Sequence, residues 1–452
     1  MSRAAAPRRL GLISLGCAKN LVDSEVMLGH LAAGGWRFVR DPGEADVLVV
    51  NTCSFIGPAR EESIQAILEA AEYKKKGRLQ RLIVTGCLVQ RYASELQREL
   101  PEVDAFVGLD QLDRIVEAAE PGAASPTAAL PVWHRSSYLY DDRSPRRRAT
   151  PPWTAYVKIA EGCDHTCSFC PIPSFRGSFR SRQPDSILRE ARRLAEEGVR
   201  EINLIAQDSS HYGRDLQRKD ALAELLDELD RIEQLRWVRV HYLYPNTITK
   251  RLLETMARGR RIVDYVDLPL QHAHPDTLRR MRRGGSAFSH LRLLSEVREI
   301  MPAVALRSTF IVGFPGETES EFEALLGFVR TVRFDHLGVF TYSHEDGTSA
   351  AGLEDDVPEA LKQERRDRLM ECQQRIAFER NHEWLRQRVE VLVEGAHPDT
   401  EHLLVGRMSS QAPDVDGQVL INEGAADPGD FVTVELVETA GYDLVGRIVG
   451  PT

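Results

Sequence analysis

The sequence lacks several features that would place it in a special class. No apolar run in its 452 residues approaches the ~20 residues that a membrane-spanning helix needs. The basic segment Met1–Arg9 is not followed by a signal-type apolar stretch. Neither a G-x-x-x-x-G-K-S/T nor a G-x-G-x-x-G pattern occurs, so nucleotide hydrolysis and a dinucleotide cofactor are not indicated. We therefore expect a cytoplasmic protein with no membrane partner.

Aromatic residues are also scarce, at 7% of the chain, beside 42% hydrophobic and 28% charged residues. This composition is that of an ordinary globular protein and excludes a collagen-like, coiled-coil or largely disordered chain. At a usual size of ~150 residues per domain, the length predicts two to four domains.

Cysteines are few and odd in number, with seven in the chain. Without a secretion signal, disulfides are not expected, and metal or redox roles are favoured. Six of the seven form two groups. The first cysteine set is Cys17, Cys53 and Cys87, and the second cysteine set is Cys163, Cys167 and Cys170. We expect Cys372, which stands apart on a predicted helix, to be a structural or surface residue.

Residues 9–120 alternate strand and helix patterns, which predicts a parallel α/β domain. The strand patterns are Leu10–Leu15, Asp46–Val50 and Arg81–Thr85, and the helical patterns are Ser24–Ala33, Glu61–Tyr73 and Ala93–Leu100. Residues 121–150 lose this periodicity and include a run of three arginines, so we predict a linker there.

Residues 151–382 resume the alternation with six strands, which can close most of a barrel through right-handed helical crossovers. The strand patterns are Ala155–Ala160, Glu201–Ala206, Trp237–Leu243, Tyr265–Leu270, Leu306–Phe314 and Leu337–Tyr342. A long charged helix, roughly Pro358 to Leu385, follows this partial (β/α)6 barrel. Residues 383–452 carry five short β-rich runs separated by Gly and Pro, which predict a small antiparallel β-barrel.

The second cysteine set forms the pattern C-x3-C-x2-C directly after the first predicted barrel strand. Three thiolates on one tight loop can bind three irons of a [4Fe–4S] cube and leave the fourth iron open to a small molecule. The mouth at the carboxyl ends of barrel strands is where such folds place their chemistry. The alternative is a zinc site completed by His165, although no second pair of cysteines is present.

This motif resembles the radical S-adenosylmethionine (SAM) superfamily, including the aromatic Phe169 just before the last cysteine. The resemblance implies that the open iron binds the amino and carboxylate groups of SAM. An electron from the cluster would then split SAM into methionine and a 5′-deoxyadenosyl radical. The protein's own part would be to position these groups and exclude water.

Other barrel residues are weaker candidates for SAM contacts. The candidates are Phe169, Gln207 with its neighbour Asp208, His241 and Arg307. Their positions in or beside predicted strands favour this role, and the alternative for each is barrel packing or a solvent-facing position. The loop Gly313–Thr318 is predicted to be structural, because Thr318 and Glu321 form a capping box for the next helix.

The first cysteine set has no local spacing motif, because its members lie 36 and 34 residues apart. Each of these cysteines instead ends a predicted parallel strand. The carboxyl ends of neighbouring strands in an open α/β sheet face one crevice, so the three thiolates are expected to converge and hold a second cluster. The alternative is coincidence, since buried cysteine is common in apolar strands.

The order of these parts resembles the methylthiotransferase family over residues 9 to about 450. The resemblance implies two [4Fe–4S] clusters, with the first cysteine set holding an auxiliary cluster whose open iron carries the sulfur to be inserted. One SAM would methylate that sulfur. A second SAM would be cleaved at the second cysteine set, and its radical would abstract hydrogen from the substrate. An electron donor is implied as a partner.

The C-terminal part resembles a TRAM domain, a module usually used for RNA. Residues 383–452 nevertheless contain four Arg, no Lys and thirteen Asp or Glu, which is −9 of the chain's net charge of −10. Such a surface repels phosphates and attracts a basic protein. The alternative is a solvated acidic face without a partner.

Local sequence favours the branch of the family that modifies a ribosomal protein. Residues 14–25, Ser-Leu-Gly-Cys-Ala-Lys-Asn-Leu-Val-Asp-Ser-Glu, resemble that branch, whereas the tRNA branch more typically has Gly-Cys-Gln-Met-Asn. Residues 269–278 also resemble it. The implied substrate is an aspartate of the twelfth small-subunit ribosomal protein, free or on the ribosome, modified at its β-carbon. The alternatives are a tRNA adenosine methylthiotransferase, which the charge disfavours, and a zinc-stabilised RNA-binding protein without catalysis.

Overall fold

The N-terminal part contains a five-stranded parallel sheet. A computed structural model describes residues 8–120 and 136–451. The first five strands are β1 (Arg9–Ser14), β2 (Arg37–Phe38), β3 (Val47–Thr52), β4 (Arg81–Gly86) and β5 (Ala105–Val107). Their order is β2-β1-β3-β4-β5. The helices are α1 (Ala18–Ala33), α2 (Gly57–Lys76), α3 (Cys87–Glu99) and α4 (Ile115–Ala119). Helices on both faces bury every residue of β3 and β4, which explains their continuous apolar character.

The central part forms two three-stranded parallel sheets. Its strands are β6 (Thr154–Lys158), β7 (Ala160–Glu161), β8 (Arg180–Ser181), β9 (Glu201–Ile205), β10 (Trp237–Val240), β11 (Tyr265–Asp267), β12 (Ala305–Val312) and β13 (His336–Thr341). The sheets have the orders β10-β9-β6 and β11-β12-β13, and a bridge between Val238 and Ile262 connects their edges. The six main strands thus form the expected partial barrel, and β7 pairs with β8 as a short hairpin.

Helices enclose this barrel and shield its apolar core. They are α5 (Ile172–Phe175), α6 (Pro184–Glu196), α7 (Ala221–Leu229), α8 (Lys250–Arg258), α9 (Pro275–Arg280), α10 (Ala287–Ile300), α11 (Glu319–Val332) and α12 (Glu359–Glu383). The capping box predicted at Thr318 and Glu321 is confirmed at the start of α11. Cys372 of α12 is buried in the barrel core. Among residues 8–120 and 136–451, no helix has the length and apolar character needed to cross a bilayer.

The C-terminal part is a closed five-stranded barrel with an apolar centre. Its strands are β14 (Arg388–His397), β15 (Thr400–Arg407), β16 (Val419–Glu423), β17 (Phe431–Ala440) and β18 (Asp443–Pro451). Four of the five pairings are antiparallel, but β16 pairs with β18 in parallel. The sequence pattern did not predict this parallel pair, because β16 and β18 are separated by β17 along the chain and alternation does not encode strand direction.

Polar contacts join the C-terminal barrel to the central part. Arg407 of the C-terminal barrel places Nη2 2.7 Å from Glu201 Oε2, at the start of β9. Tyr265, which begins β11, donates its hydroxyl proton to Asp416 at 2.7 Å. The C-terminal barrel therefore covers the amino ends of the central strands, and their carboxyl ends remain for the site.

The segment predicted as a linker is only partly a connector. Residues 121–135 lie outside the described residues. In the rest, Arg146 is buried and lies between Glu25 of α1 and Glu190 of α6, with Nη1 2.7 Å from Glu190 Oε1. Because these carboxylates belong to different parts, residues 136–150 help to fix α1 against the central barrel.

Candidate active site

The first cysteine set converges at one edge of the N-terminal sheet. Cys17 is the N-cap of α1 after β1, Cys53 directly follows β3, and Cys87 is the first residue of α3 after β4. These three strands are adjacent and parallel. Gly16 packs so closely that a Cβ atom added to it would lie 3.0 Å from the Cys53 Sγ. Strand adjacency therefore brings together thiols that are far apart in the sequence.

Ionisation of one thiol in this set changes the pKa of its neighbours. Burial raises the pKa of Cys53 and, to about 12, that of Cys87, and the charge of a neighbouring thiolate adds to both increases. Desolvation acts against ionisation of Cys17 too, but the positive charges of Lys19 and Arg176 lower the pKa of its thiol. Three crowded thiolates are costly unless a cation neutralises them, and a metal ion deprotonates coordinating thiols. The donor set thus fits an iron–sulfur cluster.

The second cysteine set lies on one loop after β7. The Cys163 amide donates to the Gly177 carbonyl at 3.1 Å, and the Cys170 amide donates to the Cys167 carbonyl at 3.2 Å. Burial raises the pKa of Cys163 to about 12 and also raises that of Cys170, and the nearby Cys167 adds to both. These thiols share the crowding of the first set, so they fit a second cluster for the same reason.

His165, the possible fourth zinc ligand, is held by other groups. Its Nε2 lies 2.7 Å from Asp208 Oδ2, and its ring stacks on Tyr244 with 3.8 Å between the ring centres. A zinc site completed by this nitrogen would require the Asp208 bond to break. The observed arrangement favours three thiols without an imidazole.

Arg176 connects the two cysteine sets. It follows α5, and its side chain is 4% exposed. Its Nη2 donates to Cys87 Sγ at 3.1 Å, while Nη1 lies 3.0 Å from both Asp23 Oδ2 and Glu161 Oε2. Lys158 Nζ binds the same two carboxylates. This buried charge cluster fixes the loop that carries the second cysteine set (the second-set loop) against the first cysteine set.

Two of the expected SAM contacts lie at the carboxyl ends of barrel strands. Gln207 follows β9 and donates from Nε2 to Glu161 Oε1 at 2.5 Å. His241 follows β10, where its Nε2 is 3.2 Å from Asn203 Oδ1. Burial lowers the pKa of His241, and the positive charges of Arg239 and Arg307 lower it further. Its ring is therefore neutral at pH 7.

The other two candidates have packing or ion-pair partners. Phe169 packs against the apolar cluster around Phe314 and Tyr342. Arg307 is the third residue of β12, near its amino end, where Nη1 lies 3.2 Å from Asp267 Oδ1 and Nε lies 3.4 Å from Asp416 Oδ1. The two carboxylates neutralise this guanidinium at the end of the strand away from the cysteines.

Three cationic residues near the thiols were not predicted. They are Lys19, Arg176 and Arg283, whose Nη1 is 3.5 Å from Cys167 Sγ. Lys19 and Arg176 follow cysteines by two and six residues, so proximity in sequence was an available signal. Arg283 lies more than a hundred residues from its cysteine, and no local pattern indicates the contact.

Comparison with known proteins decides the family. Ribosomal protein uS12 methylthiotransferase RimO from Solibacter usitatus is 49% identical over 449 aligned positions, which cover 98% of this chain and 95% of that protein. The protein of the same name from Geobacter sulfurreducens is 48% identical and covers 98% of this chain and 99% of that protein. The chain belongs to the RimO methylthiotransferase family.

Family models match each part of this RimO-family chain. The radical SAM superfamily model matches residues 157–329, the model described as Uncharacterized protein family UPF0004 matches residues 9–108, and the TRAM domain model matches residues 387–449. A solved radical SAM methyltransferase, TsrM from Kitasatospora setae, shares the fold with a TM-score of 0.55 at 15% identity, covering 76% of this chain and 77% of that chain.

Membership settles the reaction class and the cofactors. The protein is a SAM-dependent, sulfur-inserting radical enzyme that uses two [4Fe–4S] clusters. The predictions of the fold class, the enzyme class and the cofactors are confirmed. Each cluster requires thiolate ligands, and each of the two cysteine sets supplies three.

Proposed function

We propose that this enzyme attaches a methylthio group to the β-carbon of an aspartate in ribosomal protein uS12. The observation that carries the proposal is the near-complete alignment, at 48–50% identity, with proteins named as uS12 methylthiotransferases. The two three-thiol groups joined by Arg176 support it, because sulfur insertion at an unactivated carbon needs a radical source and a sulfur carrier side by side. The tRNA alternative is not favoured by these relatives.

We propose a different role for each cysteine set, in line with the family to which the chain belongs. In our proposal the second cysteine set at the barrel mouth holds the cluster that binds SAM, and the first cysteine set holds the auxiliary cluster. When bound, the two clusters supply the electron that splits SAM and the sulfur that becomes the methylthio group. Gln207, His241 and Phe169 remain our candidates for SAM contacts. We assign Arg307 a structural role, because its guanidinium is already paired.

The chain's own residues position and shield these groups. Arg176 and Lys158, together with Asp23 and Glu161, form a buried charge cluster that resists relative movement of the two parts. Arg283 places a positive charge beside the second cysteine set. A rigid, dry contact between the two sets keeps the radical close to the substrate carbon and away from solvent.

The partner is expected to be a basic protein. The C-terminal barrel carries most of the chain's net negative charge. This charge attracts a basic ribosomal protein and repels an RNA backbone. We further propose that the enzyme binds uS12 in the cytoplasm, either free or on the ribosome. A separate electron donor reduces the clusters.

Product analysis tests the function directly. Anaerobically loaded enzyme, SAM, a sulfide source and a reductant are incubated with uS12, and the uS12 peptides are measured by mass spectrometry. We expect one added methylthio group on an aspartate-containing peptide. Methylthio-adenosine in tRNA digests beside unmodified uS12 would overturn the proposal.

Cysteine variants test the assigned roles. Alanine at Cys163, Cys167 and Cys170 should abolish SAM cleavage, whereas alanine at Cys17, Cys53 and Cys87 should spare cleavage and stop sulfur transfer. Cys372→Ala is the matched control, since this buried thiol belongs to neither set. The loaded wild type should hold about eight irons per chain. One or two zinc ions without iron would contradict the radical mechanism.

A further inference from the structure

The side chain of Lys19 extends from the N-terminal sheet domain to the mouth of the central barrel. It lies in the first turn of α1, two residues after Cys17, and is 9% exposed. Its Nζ lies 3.2 Å from the centre of the Tyr242 ring. Tyr242 follows β10 at the carboxyl end of the barrel. The ammonium group therefore lies between Cys17 of the first cysteine set and the carboxyl end of β10.

This ammonium group has no carboxylate partner in the part of the chain that the structure describes. The other two buried lysines differ, since Lys158 pairs with Asp23 and Glu161, and Lys362 pairs with Asp355. Buried charges in proteins are normally paired, because an isolated charge loses its hydration without compensation. The face of an aromatic ring compensates only part of that loss. Lys19 is thus a buried cation that no carboxylate of the described residues balances, and its charge acts on the Cys17 thiol.

The backbone of Tyr242, whose ring faces Lys19, has an unusual conformation. Its φ is +59°, in the left-handed region that residues other than glycine rarely adopt. The Tyr242 amide donates to Asp267 Oδ2 at 3.0 Å, which fixes this conformation. Strain of this kind persists where the surroundings over-determine it, commonly at ligand sites. The strained turn places the aromatic face under the ammonium group.

We propose that Lys19 binds the side-chain carboxylate of the target aspartate and selects an acidic residue for methylthiolation, with Tyr242 as its positioning residue. This inference rests on the proposed function. The carbon to be modified is adjacent to that carboxylate, so an ion pair with Lys19 places it between the radical source and the sulfur carrier.

The test compares uS12 with a uS12 variant whose target aspartate is replaced by asparagine. Methylthiolation kcat/KM is measured for the wild type, Lys19→Met and Lys19→Arg. We expect the wild type to prefer the aspartate protein by roughly 100-fold, the scale for losing one partner of a buried charge pair. Lys19→Met should bring this ratio close to one by losing activity on the aspartate protein, and Lys19→Arg should keep most of the preference.

Two readouts separate substrate recognition from damage to the cofactors. Iron content and SAM cleavage in the absence of uS12 are measured in the same preparations, and Lys19→Arg, which keeps a positive charge beside Cys17, should match the wild type in both. Retention of the aspartate preference in Lys19→Met would overturn the inference. So would loss of iron in both variants, or weakened SAM binding, because Lys19 would then serve a cluster or SAM. If the wild type itself leaves uS12 unmodified, the proposed function fails and not only this inference.

Discussion

The guanidinium of Arg176 lies 3.1 Å from the thiol of Cys87, and the adjacent Gly177 carbonyl accepts the amide of Cys163. Two consecutive residues therefore contact both cysteine sets, Arg176 through its side chain and Gly177 through its backbone. This contact explains how the enzyme keeps two reactive groups in a fixed relation without any sequence motif that spans them.

Replacing Arg176 with methionine should affect the first cysteine set selectively. The substitution leaves Asp23 and Glu161 with Lys158 as their common cation, and breaking such a buried pair costs about 3–5 kcal/mol. Hydrogen bonds to cluster sulfurs raise reduction potentials, so the first-set cluster should become harder to reduce. A redox titration followed by electron paramagnetic resonance measures both clusters.

The control for this change is Arg180→Met, four residues further along the chain at the start of β8. Arg180 donates to the backbone carbonyls of Ser178, Tyr138 and Arg176 and has no ion-pair partner among the described residues. Arg180→Met should leave the reduction potentials of both clusters unchanged. Equal shifts of both clusters in Arg176→Met would show that the arginine does not act on Cys87 in particular.

The contact between the C-terminal barrel and the central barrel should depend on Arg407. Its guanidinium is buried and binds Glu201 and Glu394. We expect Arg407→Ala to lower the free energy of unfolding by about 3–5 kcal/mol, because the buried Glu201 loses its nearer cation and keeps the Arg239 guanidinium at 3.4 Å. Arg447→Ala in the same barrel removes an exposed pair with Glu435 and should cost less than about 1 kcal/mol. Chemical denaturation measures both values.

Acid should weaken the same contact. Burial disfavours the charged form of Glu201, but the charges of Arg407 and Arg239 outweigh it and lower its pKa from 4.5 to about 2. Because the folded value is the lower one, this stabilisation is complete above pH 4.5 and is lost as the pH falls through about 2. Between pH 5 and pH 3 the wild type should lose more stability than Glu201→Gln. Equal slopes would contradict this assignment.

The second-set loop should not tolerate a side chain at position 162. Gly162 has a φ of +83°, and a Cβ there would lie 2.1 Å from the Ser178 carbonyl oxygen. Gly162→Ala should push apart the loops that carry Cys163 and Arg176, and iron content should fall from about eight to about four per chain. Gly198→Ala is the matched control, since its φ is +99° but nothing lies within 4 Å of the added atom. It should cost about 1 kcal/mol and retain the iron.

Charge reversal on the C-terminal barrel should weaken binding of uS12. Glu423 and Glu438 are exposed there, and changing both to lysine shifts the net charge by +4. The Kd for uS12 should rise at low ionic strength, and the difference should shrink as salt screens the charges. Changing Glu233 and Glu254 of the central part to lysine alters the net charge equally. If both double variants weaken binding alike, the effect reflects total charge and not this barrel.

The order of strands and helices could largely be predicted from periodicity, because apolar runs and turn residues act locally. Hydrophobic pattern missed the two-residue strand β2 and the three-residue strand β5, which are too short to carry a period. It also started α1 too late, because the first turn is rich in polar residues that other parts of the chain bury. Lys19 and Asp23 contact Tyr242 and Lys158 of the barrel. Asn20 donates to the Leu15 and Thr52 carbonyls of the N-terminal sheet domain.

The sequence alone determined the three-part order, the three-cysteine loop and the concentration of negative charge at the C-terminus, since each is a property of adjacent residues. Only the tertiary structure decided which distant groups meet. Strand order brought Cys17, Cys53 and Cys87 together. The packing of α3 against α5 paired Arg176 with Cys87, and the docking of α1 on the barrel placed Lys19 over Tyr242. These contacts depend on how separate elements pack, and burial gives them their strength by removing the water that would otherwise screen each charge.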